Sequence, residues 1–226
     1  MGRFIIIEDI QIEVFRKKGK KTLSLKINPK TGNPEISIPY LCPLFIAKNF
    51  IEKHIIWLKK NIQICPGKQV FSNGMKISLL GKDLTILHLK KSCATHIEDD
   101  TLVVSGQEEH LHRRIKDFIK KQTYDYIRIK ADNAAEQSGQ KIGKITLRDT
   151  SSRWGSCSSN GNLSFCWRLA LAPTFVIDYV IIHEVAHLKH MNHSEDFWFH
   201  LKELGGQTRQ AKKWLKENAQ YLHSFL

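Results

Sequence analysis

Apolar and polar residues alternate over 4–15, through Ile10, Ile12 and Val14, and again over 22–28, through Leu23, Leu25 and Ile27. A period of two puts one set of side chains on one face and predicts half-buried strands. Pro29-Lys30-Thr31-Gly32-Asn33-Pro34 is a turn cluster, and Glu35 to Pro39 reads as a third strand. From 44 to 63 the period lengthens. The pattern predicts an amphipathic helix with Phe45, Ile46, Phe50, Ile51, Ile55 and Trp57 on its apolar side, ended by Cys65-Pro66-Gly67. Residues 75–80 and 84–89 predict a hairpin around Gly81-Lys82-Asp83. A shorter pair, 95–98 and 101–104, turns at Asp99-Asp100.

At Glu108 the period becomes helical. Leu111, Ile115, Phe118, Ile119, Tyr126 and Ile127 form one apolar face of a long connecting helix over 108–137, closed by Ser138-Gly139. A strand at 144–149, a loop at 152–157, a turn at 158–162 and a strand at 163–169 follow. Helices are expected at 195–204 and 207–224, separated by Gly205-Gly206. The organisation expected is α+β: a β-rich N-terminal domain over 1–107 with one amphipathic helix, then a second domain over 108–226.

The densest apolar run, Val176 to Leu188, is apolar all round, which predicts a helix buried on most sides and starting just after Pro173. It nevertheless contains His183, Glu184 and His187. Polar groups in a dry place need partners. Histidines four apart project from one helix face one turn apart, the bite a single zinc ion needs. Glu184 adjoins the first of them, out of ligand position but within reach of a metal-activated water. His-Glu-x-x-His is the zinc-hydrolase pattern, with the glutamate as general base. Chance alone yields it in roughly 3 of 100 shuffled chains of this composition, so the pattern needs support.

Support comes from His193, six residues beyond His187. That spacing matches chains that turn after the helix and return a third histidine to the metal. The turn glycine is replaced by His190, and Asn192 is the residue expected to adopt a left-handed turn instead. His190 is a rival ligand, but seven helical residues separate it from His183 by about 10 Å, too far for one ion without a bend. Glu195, Asp196 and Glu203 are carboxylate rivals. The expected set is zinc held by His183, His187 and His193.

Composition adds limits. The net charge is +13, with 17 basic and 9 acidic residues in 1–107 and 18 and 13 in 108–226. The surplus would suit weak nucleic-acid association or an anionic substrate; a lysine-rich solvated surface explains it as simply. The basic runs lack the aromatic interleaving of a single-strand stacking platform. Five scattered cysteines without Cys-x-x-Cys predict reduced thiols, not a disulfide frame. No apolar run is long enough to span a bilayer, and the first residues do not read as a signal peptide, so a cytoplasmic protein without membrane contact is expected.

Ser152-Arg153-Trp154-Gly155-Ser156-Cys157, Asn162-Leu163, Trp167-Arg168-Leu169, Ala172-Pro173, Ile177-Asp178-Tyr179-Val180, His183-Glu184-x-x-His187-Leu188 and Asn192-His193-Ser194-x-x-Phe197-Trp198 form one ordered set. It resembles the YgjP-like family of bacterial zinc metallopeptidases, most specifically over 144–200. A more distant resemblance, on the metal helix and the following histidine alone, is to SprT-like proteases. The resemblance implies a minimal zincin-like metallopeptidase domain behind a β-rich N-terminal domain, acting on peptide or protein. The alternatives are a zinc hydrolase of a nucleotide phosphoanhydride and a nucleic-acid-associated protein with a structural zinc site. Arg153 is expected either to orient an oxyanion or substrate carboxylate, or to pin its loop to Asp149 or a carbonyl. Asp178 reads as a second-layer partner of the site or a helix-start acid. Trp154 and Trp198 read as packing residues, and the 144–149 or 163–169 strand as a peptide-pairing edge.

Overall fold

The structure is a computed structural model that describes residues 3–28, 31–64, 68–90, 93–150 and 152–226. Cys65-Pro66-Gly67, expected to end the first helix, and Pro29-Lys30 of the first turn cluster lie outside the described residues. Among the described residues the fold is mixed, with three sheets and six α-helices. Its residues group into two compact units, Met1–Val70 with Asn218–Leu226, and Phe71–Glu217. The grouping does not follow the change of period at 107/108. The long helix that begins the expected domain 108–226 packs on a strand of the preceding sheet, so 71–107 joins the later residues rather than 1–70.

The first unit holds β1 (Arg3–Ile7), β2 (Ile10–Lys17), β3 (Ser24–Ile27) and β4 (Pro34–Pro39), in the order β1-β2-β4-β3. The expected single strand over 4–15 is a hairpin. Glu8 and Asp9 turn it with φ of 47° and 65°, the left-handed pair of a tight two-residue turn. Neither residue type announces that turn as Asn-Gly would. The expected helix over 44–63 is also divided, into α1 (Leu44–Lys53) and α2 (Ile55–Ile64), at His54 with φ −111° and ψ 13°. Ala47, Ile51 and Leu58 are the buried helical residues that join the isoleucine core of Ile12, Ile27, Ile36 and Ile38. Phe45 of α1 and Trp57 of α2, expected on the apolar side, are exposed.

In the second unit, β5 (Lys76–Leu79), β6 (Lys82–Leu89), β7 (His96–Glu98) and β8 (Thr101–Ser105) form a sheet in the order β5-β6-β8-β7. The β5–β6 turn is Leu80-Gly81, one residue earlier than expected, with φ of 51° and 80°. It sits on the start of the helix that carries the histidines. Leu80 N–H donates to Ala170 O at 2.7 Å, and a Cβ on Gly81 would meet Thr174 Cγ2 at 2.9 Å.

The long helix α3 (Leu111–Gln137) follows a 3-10 turn at Glu108–His110. It buries Leu111, Ile115, Ile119, Thr123, Ile127 and Ala131, a four-residue repeat that makes one continuous stripe. The third sheet contains β9 (Ile145–Arg148), β10 (Gly155–Cys157) and β11 (Leu163–Cys166), in the order β10-β11-β9. Residues 155–157, expected as loop, are therefore a strand. β11 is central and cannot receive a peptide; only β9 and β10 are edges.

A 3-10 turn at Trp167–Leu171 leads into α4 (Thr174–Ala186), which buries Val176, Ile177, Tyr179, Val180 and Ile181. Asp178 accepts from Tyr126 Oη at 2.7 Å and from Lys130 Nζ at 3.3 Å. It ties α4 to α3 and serves neither of its expected roles. Helices α5 (Glu195–Glu203) and α6 (Thr208–Ser224) follow. No helix among the described residues is long and apolar enough to cross a membrane.

Trp167 is fully buried, with the Arg168 guanidinium 4.7 Å from its ring centroid. Arg168 Nη1 donates to Asp149 Oδ1 at 2.5 Å, and Lys116 Nζ to Asp149 Oδ2 at 3.3 Å. Partial burial raises the Asp149 pKa, but Arg168 and Lys116 outweigh it and hold the carboxyl below its usual range. Its stabilisation is present above the unfolded-state pKa and is lost as pH falls through the lower folded value. Asp149→Asn should therefore lower stability at pH 7, by about 1–3 kcal/mol for the buried guanidinium left short of a partner. Urea midpoints of variant and parent should converge as pH falls below about 4. A gap that stays constant to pH 3 would contradict this account.

Candidate metal centre

Helix α4 ends at the site because its last turn tightens. Leu188 N–H donates to Val185 O, and the N–H groups of Lys189 and His190 both donate to Ala186 O. His183 and Glu184 lie in the last turn, and His187 is the C-cap. The chain then returns without a left-handed residue. Asn192 is not among the residues of positive φ, contrary to expectation. Ser194 caps α5, its Oγ accepting from Phe197 N–H at 3.4 Å, and this cap fixes the residue before it, His193.

The return brings His193 Nε2 to 3.1 Å from His183 Nε2. One ring nitrogen from each of His183, His187 and His193 falls within a 4.8 Å group, which could hold a metal ion. Ligands on a tetrahedral ion with bonds of about 2.0–2.1 Å stand about 3.3–3.4 Å apart, close to the His183–His193 separation. His187 Nδ1 lies 2.9 Å from His190 O. Donating there leaves its Nε2 lone pair free, the anchoring common to metal-ligating histidines. Tyr179 Oη is 3.5 Å from His183 Nδ1, one turn earlier on α4. Phe197, fully buried, touches all three rings, at centroid distances of 5.0, 4.5 and 4.8 Å to His183, His187 and His193.

The rivals lie elsewhere. His190 faces His200, ring centroids 5.7 Å apart, and Glu203 pairs with His200 Nδ1 at 3.5 Å. Glu195 and Asp196 occupy the first turn of α5 and are not in the donor group.

Burial decides the protonation of His183, His187 and Glu184. It pushes the His183 pKa down to about 4, with His187, His193 and Lys212 adding repulsion. It also lowers that of His187, against the opposing hydrogen bond to His190 O. Neutral rings keep the lone pairs that a metal requires. The same burial acts oppositely on Glu184, raising it to about 7 against the lowering effects of Arg153 and the Cys157 N–H. The Cys157 thiol is pushed up to about 11, by burial and then by Glu184, so it is no thiolate nucleophile.

Gly155 on β10 makes room for this carboxyl. A Cβ there would lie 2.5 Å from Glu184 Oε1 and 2.7 Å from its Cγ. Arg153 is exposed and does not pin its loop to Asp149, whose partners are Arg168 and Lys116. It bears on Glu184 through charge.

A cleft of about 470 Å³ opens over Glu184, His183 and His193. Trp154 and Trp198, expected as packing, line it, as do Tyr179 and Lys212. Trp198 stacks on His193 with centroids 5.5 Å apart, and Lys212 Nζ lies 4.1 Å over the Trp198 ring. Tyr179 was legible as the residue four before His183. Nothing in the pattern around Lys212 marks it.

No curated protein sequence matches the chain. Among solved structures, the crystal structure of the metallopeptidase zymogen of Pyrococcus abyssi abylysin matches 38% of this chain and 86% of its own at 23% identity. The TM-score of 0.34 is too low for that likeness to carry an argument. The family model described as YgjP-like, metallopeptidase domain, matches residues 21–218. That span runs from β3 into α6 and includes the histidine helix, and the chain belongs to the YgjP-like metallopeptidase family.

Proposed function

We propose that the protein is a zinc-dependent peptidase with a zincin-like catalytic domain. His183, His187 and His193 would hold the ion, and Glu184 would act as general base. The observation that carries this reading is the pairing of a three-imidazole donor group with an adjacent buried carboxyl near neutrality. No fourth side chain joins that group among the described residues. Three protein ligands and an open position characterise catalytic zinc, whereas structural sites close with four. This weighs against the structural-zinc reading.

Zinc would supply Lewis acidity, lowering the pKa of water and polarising a carbonyl. The chain's own residues supply the rest. Glu184 takes a proton from the attacking water and returns it to the leaving amine. Cys157 N–H holds the carboxylate in place, and Gly155 leaves the space it occupies. Lys212 and Trp198 back His193 from the far wall of the cleft. An extended peptide would lie along β10, the edge strand beside α4. The four described cysteines are free thiols, in keeping with a reducing, cytoplasmic setting.

Glu184→Gln should retain one zinc per chain by elemental analysis and lose about 10²–10⁴-fold in kcat on a peptide substrate. Retained turnover would remove Glu184 from the mechanism. His193→Ala should lose most zinc affinity, and unchanged affinity would remove His193 from the site. Gly155→Ala should keep zinc but push the Glu184 carboxyl aside, lowering kcat more than it raises KM; parental kcat would contradict the close approach. Burial, set against Arg153 and the Cys157 N–H, leaves Glu184 at about 7, and a dication alongside pulls it lower. Because the base works deprotonated, kcat/KM should fall on the acid side with an apparent pKa below 7. An acid limb above 7 would contradict it.

A further inference from the structure

The third sheet has a second face. Ile145, Leu147, Leu163 and Phe165 alternate with the residues of the opposite side, and Leu163 and Phe165 are each 1% exposed. On that opposite side Ser156, Ser164 and Thr146 stand in register across β10, β11 and β9, one hydroxyl per strand. They floor a groove of about 630 Å³ whose walls include Lys144, Arg148 and Arg153. None of the described residues that line it is acidic. Lys144, Arg148 and Arg153 make no ion pair among the described residues, although other exposed cations do, such as Lys121 with Asp125 and Arg128 with Asp132. Nor do the Ser156 and Ser164 hydroxyls have a side-chain or backbone partner there. Unmatched cations around unpaired hydroxyls complement an oxyanion-bearing ligand.

The groove adjoins the cleft. Cys157, which lines it, has its N–H on Glu184, and Gly155 of the same strand lines the cleft. Arg153 spans the two, as a wall of the groove and a charge acting on Glu184. Two inter-strand spacings, about 10 Å, separate the outer hydroxyls, room for one extended chain with its side chains. Among the described residues no aromatic side chain lines the groove. Single-stranded nucleic acid is held by stacking on such rings, so the lining favours carboxylate side chains over bases.

We propose that this groove binds an acidic segment of the substrate polypeptide, flanking the bond to be cut. The proposal rests on the peptidase reading and names the substrate class: polypeptides with Asp- and Glu-rich sequence beside the cleavage site.

The test uses the full chain. Binding of fluorescent acid-rich, neutral and lysine-rich peptides to the Glu184→Gln protein is followed by anisotropy at 150 mM salt. The acid-rich peptide should bind about tenfold more tightly than the neutral one. Lys144→Gln with Arg148→Gln should remove that preference, about threefold per cation. Lys76→Gln, an exposed lysine on β5, should not. Equal binding of acidic and neutral peptides, or a preference that survives the double substitution, would overturn the proposal. So would an oligothymidylate of equal charge that binds more tightly with the same dependence on Lys144 and Arg148, which would make this a nucleic-acid surface. Zinc-loaded parent that cleaves peptides regardless of flanking charge would sink this proposal and leave the peptidase reading standing. Charge-selective binding with no hydrolysis of any peptide would sink the peptidase reading and retain the groove as an acidic-polypeptide surface.

Discussion

Desolvation of a few polar groups at the end of an apolar helix governs this molecule. Burial opposes charge of either sign, so it strips protons from His183 and His187 and presses one toward Glu184. One physical cause thus yields neutral nitrogen donors and a carboxyl near neutrality within one turn. Exposed on a wet helix, the same residues would sit near their ordinary values. The elements packed around them bury His187 and Glu184 and hold the rings in place.

The supports come from several elements. Phe197 fills the space among three imidazoles, and the Ser194 cap holds the helix that delivers it. His190 contributes its carbonyl rather than its ring, orienting His187. Helix α3 grips α4 through Tyr126, Lys130 and Asp178, and the Leu80-Gly81 turn sits at the first residue of α4. β10 reaches the carboxyl with an amide and withholds a side chain at Gly155. In the same strand Ser156 belongs to the opposite, hydroxyl-lined face. A three-residue strand therefore borders both the chemistry and the proposed substrate surface.

The apolar periods made most elements legible, and the His183–Glu184–His187–His193 spacing made the donor group legible too. What escaped was set by contacts distant in sequence or by backbone geometry without a residue signature. Glu8-Asp9 turns a hairpin with two ordinary acids, and a break at His54 divides a helix. Gly155-Ser156-Cys157 has no strand period because three residues are too few to show one, and pairing with β11 defines it. Lys212 reaches the cleft across more than twenty residues from His187. Arg153 failed as a pin because Arg168, nearer in space though farther in sequence, takes Asp149.

The claim on which the rest depends is that three imidazoles from this chain share one ion and leave a position open. Zinc K-edge X-ray absorption on the stoichiometrically loaded protein measures that shell directly. Three imidazole nitrogens and one solvent oxygen at about 2.0–2.1 Å are expected. A carboxylate or thiolate in place of an imidazole, a fourth protein ligand closing the shell, or protein that takes up no zinc would contradict that claim.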